Sequence, residues 1–343
     1  MKLSQLHTYL LCYLKRKGIN YSLTSHLLPL TSILLLTGCV FDDHSQDAPV
    51  ADTQLGVFFD WQGVDGTARP STMALTVFAD GAQPVQTAFH GHAGGRVALA
   101  PNTYAMVGFN DDTEGLQALG STYDSYEIAA LPTVLSRVSA MFANTPYVPR
   151  AQSTSANELV AEPDMLWATA SPKVVLSQAA QSWTMPMETA TTEYRFTFTD
   201  VENLNYAVET VATISGMSGS WIPALHACSD THCIIPFRLS GEGSTLTGSV
   251  RTFGHCPDSE DGETHDHWLV IYAEMKDGSK VYFSTDVTEA MHDADHVTDG
   301  TGTGDTELPI VVDGLPLPKP ITNGSGLQPS VSEWKEISID IPM

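Results

Sequence analysis

Basic residues are scarce in this sequence. Of its 343 residues, 16 are lysine or arginine and 40 are aspartate or glutamate, which gives a formal net charge of −24 at pH 7. Charged residues of either sign make up only 16% of the chain, against about 25% in an average globular protein. Because so acidic a surface repels phosphate groups, the composition excludes a nucleic-acid-binding protein and a basic membrane-binding patch.

The N-terminal region lacks an apolar run long enough to span a membrane. Its apolar run covers residues 27–36, contains Pro29 and follows the basic cluster Lys15-Arg16-Lys17. A spanning helix needs about 20 residues, whereas a basic segment followed by a short apolar segment is typical of an export signal. We therefore expect residues 1–38 to be a signal peptide.

The apolar run ends in a sequence that resembles a lipobox, Leu36-Thr37-Gly38-Cys39. Lipoprotein signal peptidase cleaves before such a cysteine, whose thiol carries a diacylglycerol that holds the protein on a bilayer. An ordinary signal peptide with a chance cysteine is the alternative. We interpret residues 39–53, which begin with an acidic stretch, as a tether, and expect an outer-membrane lipoprotein that faces the cell exterior.

Helical periodicity is also scarce, and alternation of apolar and polar residues dominates the rest of the chain. In the first predicted strand, Leu55–Trp61, alternate residues share one apolar face: Leu55, Val57, Phe59 and Trp61. Residues 268–273 are apolar on both faces, as in a central strand. Many short strands separated by turn signals predict an all-β fold of antiparallel β-sandwiches. We expect the first β-sandwich domain at residues 54–170 and the second at residues 171–343.

Catalytic motifs are missing as well. The chain has no Gly-x-Ser-x-Gly nucleophile motif, no phosphate-binding loop and no His-Glu-x-x-His zinc motif. We therefore expect no enzyme and no cofactor. A pocket with converging histidines and carboxylates around His265 and His267 would instead indicate a hydrolase.

The chain has 12 histidines, which are potential metal ligands. Several histidines lie close in sequence to cysteines or to each other: His226, Cys228, His232, Cys233, His255, Cys256, His265, His267, His292 and His296. Their spacing matches no zinc finger or ribbon, and exported proteins tend to oxidise their thiols. We therefore expect solvated loop histidines and no metal site.

The chain has only five cysteines, and two of them are candidates for a disulfide. Two apolar segments flank a five-residue turn and predict a hairpin with Leu239 opposite Thr245. If the ladder continues, Cys228 faces Cys256 and the two can form a disulfide. A bridge between Cys228 and Cys233 is the alternative.

Two of the six tryptophans lie in or beside predicted loops, namely Trp183 and Trp221. Exposed aromatic faces stack on sugar rings, so both are candidate glycan contacts. The alternative is that both are hydrophobic plugs at the ends of the sandwiches.

Several segments of the chain together resemble a known family. They are residues 59–61, 109–114, 215–219, 246–256, 277–288 and 313–321. The most specific is the run Leu315-Pro316-Leu317-Pro318-Lys319-Pro320. The set resembles a family of Bacteroidales surface lipoproteins in the fimbrillin-like superfamily, which includes fimbrial anchor and accessory subunits.

This resemblance implies two transthyretin-like β-sandwich domains in series and a role in fimbria-like assembly at the cell surface. We expect a non-enzymatic fimbrial anchor, accessory subunit or adhesin, with fimbrial subunits as partners and the membrane reached through the lipid on Cys39. A surface glycan-binding lipoprotein is the alternative. Exposure of Trp183 or Trp221 on one flat face favours the alternative, and their burial favours the fimbrial role.

The segment after Cys39 bears on which fimbrial component this is. In fimbrillin-like stalk subunits a protease cuts after a basic residue and releases the first strand, which a neighbour's strand replaces. Here the first basic residue after Cys39 is Arg69, and the next residue, Pro70, makes a poor protease substrate. We therefore predict that Leu55–Trp61 stays covalently attached and paired within the first sandwich, as in an anchor.

Overall fold

The computed structural model of the protein describes residues 52–143, 148–150, 158–256, 265–297, 308–320 and 334–336. These residues all belong to one unit of the chain, residues 50–343. The predicted signal peptide and Cys39 lie outside the described residues. None of the helices in the described ranges is both long enough and apolar enough to cross a membrane.

The described residues are nearly all β-structure, as predicted, and the first sandwich is made of two sheets. Sheet I has the order β10 (Gln181–Pro186), β1 (Thr53–Asp60), β4 (Gly94–Leu99). Sheet II has the order β11 (Glu188–Thr189), β9 (Trp167–Leu176), β5 (Asn102–Asn110), β2 (Thr72–Phe78), β3 (Val85–His90).

The core of the first sandwich is formed by strands in which buried and exposed residues alternate. In β1, Leu55, Val57 and Phe59 are buried while the residues between them are exposed or half-buried. They pack on buried residues of sheet II such as Met73 and Met106. Full burial of each such side chain contributes about 1.5–3 kcal/mol, so this face fixes β1 against sheet II.

The second sandwich also has two sheets. Sheet IV has the order β17 (Ser240–Glu242), β18 (Thr245–Thr252), β12 (Thr192–Thr199), β21 (Leu308–Asp313). Sheet V has the order β22 (Trp334–Glu336), β20 (Lys280–Asp286), β19 (Trp268–Met275), β13 (Ala207–Ser218), β16 (His232–Arg238), β8 (Glu158–Leu159). Phe196 of sheet IV stacks on Phe237 of sheet V with ring centroids 5.1 Å apart. The prediction that residues 268–273 form a central strand is confirmed, since β19 lies between β20 and β13.

A smaller sheet and two short helices complete the described structure. Sheet III has the order β15 (Ala227–Cys228), β14 (Ser220–Ile222), β7 (Glu127–Ala130), β6 (Leu116–Leu119). Just before β7, Tyr126 packs edge-on against Phe78 of sheet II at 5.1 Å between ring centroids. The helices are α1 (Leu135–Val138) and α2 (Thr288–Val297), and single 3-10 turns occur at Tyr123–Ser125, Ala140–Phe142 and Leu204–Tyr206.

Most strand pairs run antiparallel, as predicted, but four pairs among the described residues are parallel: β1–β10, β12–β21, β16–β8 and β20–β22. Two of them share an arrangement. In sheets I and IV the last strand in sequence, β10 or β21, returns beside the first, β1 or β12. Alternation defines the buried face of a strand but not its neighbours, so the sequence could not predict these pairs.

The expected domain boundary at residue 170 falls inside β9. This strand pairs with β5 from Asn102 to Phe109, and β10 pairs with β1. The first sandwich therefore continues to Thr189, the end of β11, and takes its last strands from the segment assigned to the second domain.

The predicted hairpin with Leu239 opposite Thr245 is wrong. The strand before the turn, β16, lies in sheet V, and the strand after it, β18, lies in sheet IV. The hairpin partner of β18 is β17, with Glu242 opposite Thr245. The chain crosses between the sheets at Leu239, a step that apolar alternation in both flanking strands does not reveal.

Candidate functional site

The first strand is the element on which the predicted role depends, and it lies in the middle of sheet I. β1 pairs in parallel with β10 from Leu55–Gln181 to Asp60–Pro186. On its other edge it pairs antiparallel with β4 from Thr53–Leu99 to Phe58–Gly94. The prediction that this strand is paired within the first sandwich is confirmed.

Packing around β1 leaves little space. Val57 is 0% exposed, and the ring of Phe59 meets that of Phe89 edge-on at 6.1 Å between centroids. Loss of β1 would remove Val57 and Phe59 from the core and leave both β10 and β4 without the strand that lies between them. Such a gap is what a donor strand fills in strand-exchange assembly.

The segment that follows β1 is fixed by Trp61. Its indole nitrogen donates a 2.8 Å hydrogen bond to the carbonyl of His92, and its ring meets Trp167 edge-on at 5.7 Å. The guanidinium of Arg69 lies 5.1 Å from the centroid of the Trp61 ring, a cation–π distance.

Arg69 is held in a folded loop. Its guanidinium donates to the carbonyls of Val64, Gly66 and Ala68 at 3.4, 3.2 and 2.6 Å. Arg69 is half-buried, and Pro70 is buried. Proteases favour exposed, unstructured loop tips, so this bond is shielded by its conformation as well as by its proline.

The two candidate glycan contacts differ in exposure. Trp183 lies on β10, is 36% exposed, and donates from its indole nitrogen to the Ser171 hydroxyl at 3.1 Å. Trp221 lies on β14, is half-buried and packs against a cluster of buried apolar side chains. Trp183 therefore offers part of a ring to solvent, while Trp221 has a packing role.

The cysteines do not form the expected bridge. Cys233 and Cys256 are free, buried thiols, and the Cys228 thiol donates to the carbonyl of Phe253 at 2.6 Å. Burial, with a smaller effect from Asp230, raises the pKa of Cys256 to about 12. Burial also raises the pKa of Cys233. Burial therefore favours the neutral form of both thiols.

The histidines are brought together more than their spacing predicts. Of the sequence candidates, His255, His267 and His292 offer nitrogen atoms that all lie within 4.8 Å of one another. His232 and His265 form a second pair with ring centroids 4.3 Å apart. Among the described residues, this three-histidine group is the set of side chains that could hold a metal ion.

The geometry so far defines a protein of two β-sandwiches in which the first strand is built into the core of the first one. The chain belongs to the family described as Domain of unknown function (DUF5119), which matches residues 39–238. Comparison with curated proteins gives no match.

The chain is similar to several solved structures. A candidate adhesin from Bacteroides ovatus ATCC 8483 is 20% identical, with a TM-score of 0.56, over 84% of this chain and 99% of the other. A candidate polysaccharide-binding protein from Bacteroides thetaiotaomicron VPI-5482 is 14% identical (TM-score 0.47; 77% and 91% of the two chains). The fimbrial anchor protein Mfa2 from Porphyromonas gingivalis is 11% identical (TM-score 0.44; 76% and 89%). Family and fold agree with the resemblance to fimbrillin-like surface proteins.

Proposed function

We propose that this protein is an outer-membrane surface lipoprotein, acylated on Cys39, that acts as a non-enzymatic fimbrial anchor, accessory subunit or adhesin. The observation that carries the proposal is the position of β1, which is paired on both edges and buried on one face. A subunit that keeps its first strand also keeps its lipid, because Cys39 lies 14 residues before Thr53.

The surroundings of Arg69 support the same role. A polymerising stalk subunit must expose a cleavable bond after a basic residue, whereas the Arg69 side chain is held by hydrogen bonds to the carbonyls of Gly66 and Ala68. The bond leads into a buried proline. This arrangement fits an anchor or terminal subunit better than a stalk subunit.

Two observations support the proposed location at the cell surface, one from the sequence and one from a similar solved structure. The lipobox-like segment before Cys39 and the acidic residues after it favour export and a place on the outer face. One solved structure that is similar to this chain, with a TM-score of 0.56, is a candidate adhesin, and we extend that role to this chain.

Palmitate labelling tests the lipid anchor. We expect labelled palmitate in the wild-type protein and none in Cys39→Ala, because the acylated thiol is gone. The matched control is Cys12→Ala, which removes a cysteine from the signal peptide and should label normally. Equal labelling of the wild type and Cys39→Ala would contradict the proposal.

Glycan binding is the second candidate function, and the exposed part of Trp183 favours it. If the protein binds glycans through this ring, Trp183→Ala should weaken retention on a glycan array at least tenfold, since stacking is lost. Val175→Ala is the control, because Val175 is 58% exposed and apolar but cannot stack. Unchanged binding by Trp183→Ala would exclude this ring as the contact.

A further inference from the structure

A cluster of three histidines lies at one end of the second sandwich, where three separate segments meet. His255 follows β18 and forms an isolated bridge with Met217, His267 directly precedes β19, and His292 lies on α2. The ring centroids are 5.7 Å apart for His255–His267, 4.8 Å for His255–His292 and 5.2 Å for His267–His292. We propose that these three side chains bind a divalent transition-metal ion, with Zn²⁺ as the best fit.

Carbonyl groups define the protonation of two of the rings. Nδ1 of His267 lies 3.0 Å from the Ser215 carbonyl, and Nδ1 of His255 lies 3.0 Å from the Cys256 carbonyl. A carbonyl can only accept, so each Nδ1 carries the proton and the neutral ring has its lone pair on Nε2. Metal-binding histidines are commonly oriented in this way, by a carbonyl on the other ring nitrogen.

A carbonyl also defines the tautomer of the third ring, that of His292, but here it faces Nε2 instead of Nδ1. Nε2 of His292 lies 3.5 Å from the carbonyl of His265, so the proton belongs on Nε2 and the lone pair on Nδ1. Three nitrogen donors from imidazole suit Zn²⁺, Ni²⁺ or Cu²⁺, whereas Ca²⁺ and Mg²⁺ prefer oxygen.

The backbone around His267 is shaped to hold that ring in place. His267 is 0% exposed. Beside it, β13 has a bulge at Gly216, whose φ is +76° and where a Cβ would lie 2.6 Å from His267 Nδ1. Only glycine allows this close approach, so the strand is adapted to the imidazole.

Hydrogen bonds also tie α2 to His267. The His267 amide donates to the Thr288 hydroxyl at 2.8 Å, and the Val287 amide donates to the His267 carbonyl at 2.9 Å. Asp286 accepts from the Thr288 amide at 2.9 Å and caps the start of α2. These bonds fix the start of α2 beside His267, and His292 lies one helical turn after Thr288 on the same helix.

Only a small adjustment separates this arrangement from a coordinated ion. With Zn–N bonds of about 2.0–2.1 Å, tetrahedral geometry needs nitrogen atoms about 3.3 Å apart. The present separations reach 4.8 Å. Coordination therefore requires the half-buried rings of His255 and His292 to move toward the buried ring of His267. A bound ion would join the end of β18, the start of β19 and α2.

Titration of the whole protein tests the site, independently of the proposed role at the cell surface. The detergent-solubilised protein is stripped with EDTA, dialysed and titrated with ZnCl₂ by calorimetry. We expect one equivalent bound in the micromolar range or tighter, and at least tenfold weaker binding in His255→Ala and in His292→Ala. His90→Ala removes an exposed histidine from β3 and should bind like the wild type.

Two further measurements separate coordination from folding effects. ZnCl₂ should raise the thermal midpoint of the wild type but not of His292→Ala, because an ion that binds only the folded state stabilises it. CoCl₂ should give the visible absorption of a tetrahedral site in the wild type only. Variants that melt like the wild type in EDTA are folded. Absence of zinc binding by the wild type, or binding unchanged in both variants, would overturn the proposal.

Discussion

At the scale of single residues, close contacts around β1 explain why the first strand is held so firmly. Gly94 sits opposite Phe58 with φ at +96°, and a Cβ on it would lie 2.1 Å from the Val57 carbonyl. The backbone of β4 can approach β1 this closely only because position 94 has no side chain. Arg69 adds a second local constraint through its carbonyl contacts and the Trp61 ring.

Gly94 provides a sharp test of this packing. Gly94→Ala should destabilise the protein by the cost of a left-handed alanine, about 1–2 kcal/mol, and by a further ~1–3 kcal/mol for the steric clash. Gly81→Ala is the matched control, since Gly81 has φ at +72° but nothing within 4 Å of its Cβ position. Thermal unfolding followed by circular dichroism should show a clearly larger loss for Gly94→Ala. Equal losses would mean that β4 does not pack on β1 as described.

At the scale of elements, β1 acts as the central strand of sheet I and as part of the core at the same time. It carries three large buried side chains, Leu55, Val57 and Phe59. Loss of each such side chain from a core costs about 2–5 kcal/mol. The first sandwich could therefore survive without β1 only if another strand took its place.

Elements with a clear alternation were predictable from the sequence. The buried face of β1 and the two-sided burial of β19 follow directly from their residue patterns. Long-range pairing was not predictable in this way. The predicted hairpin before Thr245 does not form because β16 and β18 lie in different sheets. The predicted domain boundary at residue 170 falls within the first sandwich because β9 and β10 both belong to it.

The histidine cluster shows the same limit for a site. Position in the sequence separates His255, His267 and His292, and their spacing matches no known motif. They meet because a bulge in β13, the start of β19 and α2 converge in space. Gly216 and the Asp286–Thr288 pair are the sequence features that help to build this cluster. Neither feature points to His267 until the order of the strands is known.

At the scale of the whole molecule, the chain combines a strongly acidic composition with two β-sandwiches. The net charge of −24 keeps such a protein soluble and disfavours contact with anionic lipid head groups, so attachment to a membrane depends on the lipid proposed at Cys39. A covalent link from that lipid through β1 into the first sandwich is the central claim of the proposed role.

Mapping the N-terminus of the protein recovered from intact cells tests that claim most directly. Membrane-bound protein is isolated, digested and sequenced from its N-terminal peptide by mass spectrometry. The proposed role predicts a dominant species that begins at an acylated Cys39 and retains β1. A dominant species that begins at or beyond Pro70 would contradict it and indicate a polymerising stalk subunit.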